Sequence, residues 1–243
     1  MSSYGLIGRT LKHSFSKQYF GNKFFTEGID ADYSLFELGT VEELHELIAT
    51  HKTLAGLNVT IPYKVAVMPL LDELSDEAQG VGAVNCIKIR GGRLTGYNTD
   101  VEGIVASLRE LDIDSSYRAL VLGTGGASRA VQYVLRREGI EFMVVSREEG
   151  RGDLTYAQLT HEIMAANRLI INTTPLGMYP DVESAAELRF DAITEHHRLF
   201  DLVYNPSPTR LMTLCAERGA RTLGGGLMLR VQAEASWRIW QGE

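Results

Sequence analysis

The feature that most constrains this chain is a glycine-rich turn set between two contrasting patterns. Ala119 to Leu122 is a continuous apolar run of the kind a buried parallel strand requires. The residues running on to Glu138 repeat their apolar positions at helical spacing. Between the two stand Gly123, Gly125, Gly126, Ala127 and Ser128. Glycines here permit a tight turn and close approach of a phosphate to the backbone, and the helix start offers free amide N–H groups and the positive end of its dipole. Strand, glycine turn and helix in that order form a dinucleotide-binding fingerprint, with Ser128 in place of its third glycine. The competing reading is an ordinary β–α turn.

The end of the next strand bears on which dinucleotide. Phe142 to Val145 is followed by Ser146 and Arg147. A carboxylate there pairs with the ribose hydroxyls of NAD, whereas an arginine receives the 2′-phosphate of NADP. Arg147 therefore favours NADP, against the repulsion of Glu148 and Glu149; its other reading is a solvated surface charge.

Short apolar runs alternate with amphipathic segments along most of the chain, the pattern of an α/β protein. Expected strands are 4–8, 32–38 and 54–59, then a hairpin of 83–89 and 93–97 about Gly91 and Gly92. Expected helices are 16–27, capped by Ser16, 40–49, with Thr40 and Glu43 spaced as a capping box, and one from Pro62 to about Leu74. Asp100 to Leu111 is helical on its periodicity, and polar 112–116 reads as a hinge. Strands 119–122, 142–145, 169–172 and 199–203 form a second series. These patterns predict two α/β domains, residues 1–100 and residues 101–226, the second a Rossmann domain on its glycine turn; a last helix within 227–243 has the option of packing back on the first, which periodicity alone does not decide.

The chain has 243 residues, 44% of them hydrophobic and 23% charged, which suits a folded protein with a real core. Its net charge of −7 gives a nucleic-acid partner no electrostatic support and leaves any anionic substrate to local groups. Cys86 and Cys215 each sit in apolar runs, so inert buried thiols in a reducing, cytoplasmic compartment are expected. The first residues lack a signal-peptide pattern, and no apolar run approaches bilayer length, so no membrane association is expected. No cluster of ligand-spaced histidines and cysteines predicts a metal. A small-molecule substrate is the expected partner, on a monomer or homodimer.

Three polar clusters in the first half are hard to place in a core. Ser14 and Ser16 lie just past a strand, where two hydroxyls can hold a carboxylate; Ser16 alone reads equally as a helix cap. Asn58, Thr60 and Lys64 close the third strand. Lys64 stands beside apolar Ile61, Val65 and Val67, and partial desolvation there suits acid/base work; the alternative is a lysine reaching for water. Asn98 and Asp100 open a helix, where Asp100 either caps it or pairs with Lys64. Asn85 lies in an apolar strand, where its amide needs a backbone or ligand partner.

Taken in order, Ser14-x-Ser16, Asn58 to Lys64, Gly82 to Asn85, Asn98 to Asp100, Gly123 to Ala127 and Gly224 to Gln232 resemble the signature series of the shikimate dehydrogenase family. The resemblance runs from about Tyr4 to Gln232. It implies an N-terminal substrate domain and a C-terminal Rossmann domain, with Lys64 and Asp100 as the catalytic pair. By the same resemblance Ser14 and Ser16 bind the substrate carboxylate with Tyr204 close by, while Thr60, Asn85, Asp100 and Gln232 meet the ring hydroxyls or the reacting carbon. Gly123, Gly125, Gly126, Ala127, Ser146 and Arg147 are implied to hold NADP(H), Leu202 and Gly225 to line its nicotinamide, and Asn172 and Thr173 to lie near it.

The implied reaction is reduction of 3-dehydroshikimate to shikimate by NADPH, a step of aromatic amino acid biosynthesis. Two departures matter. The family often has Asn-Arg-Thr where this chain has Ser146, Arg147 and Glu148, which keeps NAD open as a cofactor. Its usual proline and histidine-asparagine pair after the serines are replaced around Lys17 and Phe20 to Asn22. The alternatives are a quinate/shikimate dehydrogenase using NAD or both cofactors, and a non-catalytic dinucleotide sensor on the same frame. Retention of both Lys64 and Asp100 favours an enzyme.

Overall fold

A computed structural model of the chain describes residues 2–11 and 14–242. The chain divides into two compact units, Met1–Thr99 with Ala233–Glu243 and Asp100–Gln232. The first unit carries β1 (Ser2–Gly8), α1 (Phe15–Glu27), β2 (Ala31–Glu37), α2 (Leu44–Thr50), β3 (Leu54–Val59), α3 (Tyr63–Ala66), β4 (Glu73–Leu74), α4 (Asp76–Val81), β5 (Cys86–Arg90) and β6 (Arg93–Tyr97). Its sheet runs β2-β1-β3-β5-β6-β4. The β1, β2 and β3 pairings are parallel, and β5 is antiparallel to both β3 and β6.

Alternation along the strands sends side chains to two different cores. Ile7, Leu57, Val59 and Ile87 pack with Leu44, Tyr63 and Val67 on one side. Tyr4, Leu6 and Cys86 pack with Phe20, Phe24, Tyr33 and Trp240 on the other. Trp240 stacks on Tyr4 with ring centroids 4.8 Å apart and donates its indole N–H to the Ile87 carbonyl at 3.0 Å. Gly56 makes this possible: a Cβ at that position would overlap the Trp240 indole.

The second unit carries α5 (Asp100–Glu110), β7 (Arg118–Leu122), α6 (Gly126–Arg137), β8 (Glu141–Ser146), β9 (Leu154–Thr155), α7 (His161–Ala166), β10 (Leu169–Asn172), β11 (Arg198–Asp201), α8 (Arg210–Ala216) and β12 (Arg221–Gly224). The last helix, α9 (Gly226–Gln241), begins in this unit and continues in the first from Ala233. The sheet order β12-β11-β10-β7-β8-β9 is parallel throughout. Numbered within the unit, that is 6-5-4-1-2-3, the doubly wound arrangement whose strand order reverses between β7 and β10. Leu120, Leu122, Ile170 and Leu199 are fully buried in its core.

Some expected elements differ. The segment expected as a helix from Pro62 to Leu74 ends its α-helical turn at Ala66, passes through a short 3₁₀ turn at Met68–Leu70 and becomes strand at β4. Pro69 offers no N–H to continue a helix, and the chain beyond it is drawn into pairing instead, with Asp72 N bonded to the Leu94 carbonyl at 2.9 Å. The cap of α1 is Ser14, two residues before the expected Ser16. The polar stretch 112–116 turns the chain inside the second unit, where Arg221 holds Asp112 at 2.6 Å, so it is not a hinge between units. The strand expected over 199–203 is Arg198–Asp201. Residue 243, included in the expected last helix, lies outside the described residues.

Candidate active site

In the first unit, polar groups gather on the α1 side of the sheet. Asn58 lies in β3 one residue before its end and Asn85 directly precedes β5, both buried, so their amides must find partners in the interior. The buried Tyr33 hydroxyl donates to Asn58 Oδ1 at 2.8 Å, and Asn58 Nδ2 donates to Ser236 Oγ at 2.9 Å. Ser236 Oγ lies 3.1 Å from Thr99 Oγ1. Asn85 grips Thr99 at both ends of its amide, receiving the Thr99 N–H at 2.7 Å and donating to Thr99 Oγ1 at 3.0 Å. Burial drives the Tyr33 phenol well above its ordinary value, while a hydrogen bond with the Ser16 hydroxyl opposes the shift.

The expected first-half residues are held by this scaffold. Lys64 sits half-buried on α3, and its carbonyl accepts from Val84 N at 2.7 Å. The chain thus ties Lys64 to Val84, and Thr99 to the next residue, Asn85; the buried Asp100 follows Thr99 directly. Ile61 and Val65 face solvent at 75% and 41% exposure, leaving Val67 as the buried one of the three apolar residues expected around Lys64. Thr60 is half-buried at the exit of β3. Ser16 is engaged with Tyr33, whereas Ser14 Oγ is a buried hydroxyl without a hydrogen-bond partner. A buried hydroxyl with nothing to bond is costly, and it is suited to a ligand that supplies the missing acceptor.

In the second unit, the glycine turn sits beside the point where strand order reverses. Gly123 has φ of +105°, and a Cβ there would come within 2.8 Å of Thr173 Oγ1. Gly125 caps α6, and a Cβ on it would meet nothing within 4 Å, so the backbone is open to close approach. Ser128 is fully buried and donates to the Gly123 carbonyl at 2.7 Å, so the serine in the third fingerprint position closes the turn on itself. These features fit a pyrophosphate held on backbone amides.

Next to the turn lies a groove of about 510 Å³ lined by Thr124, Arg129, Gln132, Arg136, Phe142 and Arg151, among others. It stands beside a seven-residue link from β8 to β9, where parallel neighbours are usually joined through a helix. Ser146 is buried at the end of β8 and receives Glu148 N at 3.1 Å, and Arg147 is exposed there. Glu148, expected to repel a phosphate, is bonded by Arg151 at 3.2 Å. Sequence reasoning missed Arg129 and Arg151; an arginine three residues beyond the acidic pair's first member was the available signal.

The remaining expected residues fall as follows. Leu202 and Tyr204 are half-buried on the loop after β11. Gly225 packs so closely on the Leu202 carbonyl that a Cβ would overlap it. Asn172 ends β10, and Thr173 donates to the Leu122 carbonyl at 2.6 Å, beside the glycine turn. Gln232 is buried on α9 and donates to the Leu229 carbonyl at 3.0 Å. Among the described residues no group of three or more histidine, cysteine or acidic side chains could hold a metal ion, and no helix is long and apolar enough to cross a membrane.

A doubly wound dinucleotide fold joined to a second α/β unit with a buried polar cluster defines a two-domain dehydrogenase class. Residues 6–87 match the family model for the shikimate dehydrogenase substrate binding domain. The chain is 39% identical over 252 residues to the shikimate dehydrogenase (NADP(+)) of Clostridium beijerinckii, covering 99% of this chain and 92% of the relative. The structure of shikimate 5-dehydrogenase from Thermus thermophilus, in complex with NADP(H) and shikimate, matches with a TM-score of 0.89 at 31% identity, covering 100% of this chain and 94% of that one. Quinate dehydrogenase from Corynebacterium glutamicum, in complex with NAD, matches with the same TM-score of 0.89 at 29% identity, again over 100% and 94%. The chain belongs to the shikimate dehydrogenase family.

Proposed function

We propose that this chain catalyses the reversible NADPH-dependent reduction of 3-dehydroshikimate to shikimate, within the pathway to aromatic amino acids. One observation carries the substrate reading above all: Ser14 Oγ, a buried hydroxyl without a partner at the head of α1, where a carboxylate supplies the acceptor it needs. Ser14 and Ser16 hold that carboxylate, with Tyr204 completing its surroundings. Thr60, Asn85, Asp100 and Gln232 bind the ring hydroxyls and border the reacting carbon.

The cofactor, when bound, supplies a hydride to the ring carbonyl carbon. Lys64 Nζ meets the oxygen on that carbon and gives it a proton as charge develops, and Asp100 is the second member of the catalytic pair. Asn85 fixes the backbone of Thr99 and so sets the position from which Asp100 projects. The amides of Gly123, Gly125, Gly126 and Ala127 hold the pyrophosphate, Ser146 and Arg147 receive the adenosine 2′-phosphate, and Leu202 and Gly225 line the nicotinamide. Pairing of Glu148 with Arg151 at the surface offsets part of the repulsion that Glu148 presents to that phosphate, which is compatible with NADP. In its substrate domain the chain works on small molecules and needs no metal, as either a monomer or a homodimer in the cytoplasm.

Absorbance of the reduced nicotinamide, followed with shikimate or quinate and NADP or NAD, tests the reading. Signal with shikimate and NADP is expected. Quinate with NAD as the best pair would replace it with the quinate reading, and silence from all four pairs would leave a non-catalytic sensor. Lys64→Ala should lower kcat by roughly 10²–10⁴-fold with cofactor affinity unchanged; full activity would remove Lys64 from the chemistry.

A further inference from the structure

Asp201 ends β11 with its carboxylate wholly buried at 0% exposure. Three donors converge on it. Oδ1 receives Asn172 Nδ2 at 2.9 Å and Val203 N at 3.1 Å, and Oδ2 receives Thr209 Oγ1 at 2.6 Å. A buried carboxyl group is costly unless it is hydrogen-bonded, and three inward-pointing donors meet that need. Burial pushes the Asp201 carboxyl above its ordinary value, and its bonds from Thr209, Val203 and Asn172 oppose that shift.

Asn172 lies at the exit of β10, and Val203 and Thr209 at the two ends of the loop between β11 and α8. Asn172 Oδ1 in turn accepts from Thr174 N at 3.0 Å and Thr174 Oγ1 at 2.7 Å, which sets the chain that packs on Gly123. Val203 passes its carbonyl to Gly225 N at 3.0 Å. Thr209 caps α8 through Met212 N at 3.1 Å and closes the loop that carries Leu202 and Tyr204. One buried carboxyl group therefore binds together the exits of β10 and β11 and, through them, the glycine turn and the start of α9.

We propose that Asp201 is a positioning residue that holds these loops in the shape receiving the nicotinamide half of the dinucleotide. Being wholly buried, it acts through Asn172, Val203 and Thr209. This rests on the dehydrogenase reading above.

Thr209→Val removes one donor from Asp201 with little change of shape, Thr209→Ser keeps it, and Thr174→Ala cuts the far end of the relay at a half-buried position. Titration of the full chain with NADP, steady-state kinetics with shikimate, and melting temperature are read for each. Thr209→Val should raise the Kd and KM for NADP about tenfold, the factor carried by one hydrogen bond to a charged group. Its kcat should stay within about twofold, and Thr209→Ser should restore wild-type binding. Thr174→Ala should weaken NADP in the same direction with its melting temperature nearly unchanged. A folded Thr209→Val that binds NADP like the wild type overturns the proposal, and so does a Thr209→Ser as impaired as the valine. Should Thr209→Val not fold, unaltered NADP affinity in Thr174→Ala overturns it. Failure of the wild type to bind any nicotinamide dinucleotide would instead reject the dehydrogenase reading itself, and the positioning role with it.

Discussion

Single hydroxyls separate the two serines at the head of α1. Ser16 shares its hydroxyl with Tyr33, so a bound carboxylate competes for it, whereas Ser14 has no competitor. Ser14→Ala should therefore raise the KM for shikimate more than Ser16→Ala does. It should also leave the melting temperature unchanged or slightly higher, because it deletes an unsatisfied buried oxygen; a clear loss of stability would mean the hydroxyl is structurally employed. His197 provides a pH test of a different kind. It is buried, accepts Thr194 N at Nδ1 over 3.1 Å and meets the Met164 carbonyl at Nε2 over 3.1 Å. Burial is the largest cause holding its pKa below the ordinary value, against the raising effect of its bond to the Met164 carbonyl. The folded imidazole thus resists a proton that the unfolded chain accepts. Its contribution to stability is complete above about pH 6.5, the unfolded value, and fades as pH falls. The melting temperature should drop between about pH 6.5 and 5, and His197→Gln should flatten that slope; an unchanged slope would assign the acid sensitivity elsewhere.

At the scale of elements, Gly56 is the position where strand and helix compete for the same space. A methyl group there would overlap the Trp240 ring. Gly56→Ala should destabilise the protein by about 1–3 kcal/mol and disturb the near-ultraviolet signal of its tryptophans; wild-type stability would show the indole free to move aside. Elements with local causes were legible in the sequence. The capping box of Thr40 and Glu43 closes as its spacing requires, with Thr40 N on Glu43 Oε1 at 2.9 Å. The hairpin turns on Gly91 and Gly92, both at positive φ. The glycine turn reads from residue spacing alone, because its conformation is a property of those few residues. Elements with distant causes were not legible. The run after Pro62 has helical periodicity, yet β6 claims its end as β4. The two-residue strand β9 and the four-residue strand β12 are too short to show a period, and only their parallel neighbours define them. In the site, Asn58 and Asn85 stood out as amides in apolar strands. Tyr33, Ser236 and Arg151 did not, since each takes its meaning from a partner far away in sequence or from a groove that a missing crossover helix leaves open.

For the molecule as a whole, both thiols are shut away. Burial pushes Cys86 and Cys215 each up to about 12. Neither should react with a thiol reagent at pH 8 in the native protein, and both should react once denaturant unfolds it; one fast-reacting thiol in native protein would reveal local opening of its unit. The same closure has a temporal side. The aromatic face of the first sheet is finished by Trp240 on α9, far along the chain from the strands it covers. A ribosome extends a polypeptide at roughly 5–20 residues per second, so Tyr4 and Phe20 wait on the order of ten seconds or more for their covering side chains. During translation the first unit's sheet is a half-built nucleus with bare rings until α9 follows it. Removing α9 would prolong that stage indefinitely, and the damage would surface in strands and helices made long before it.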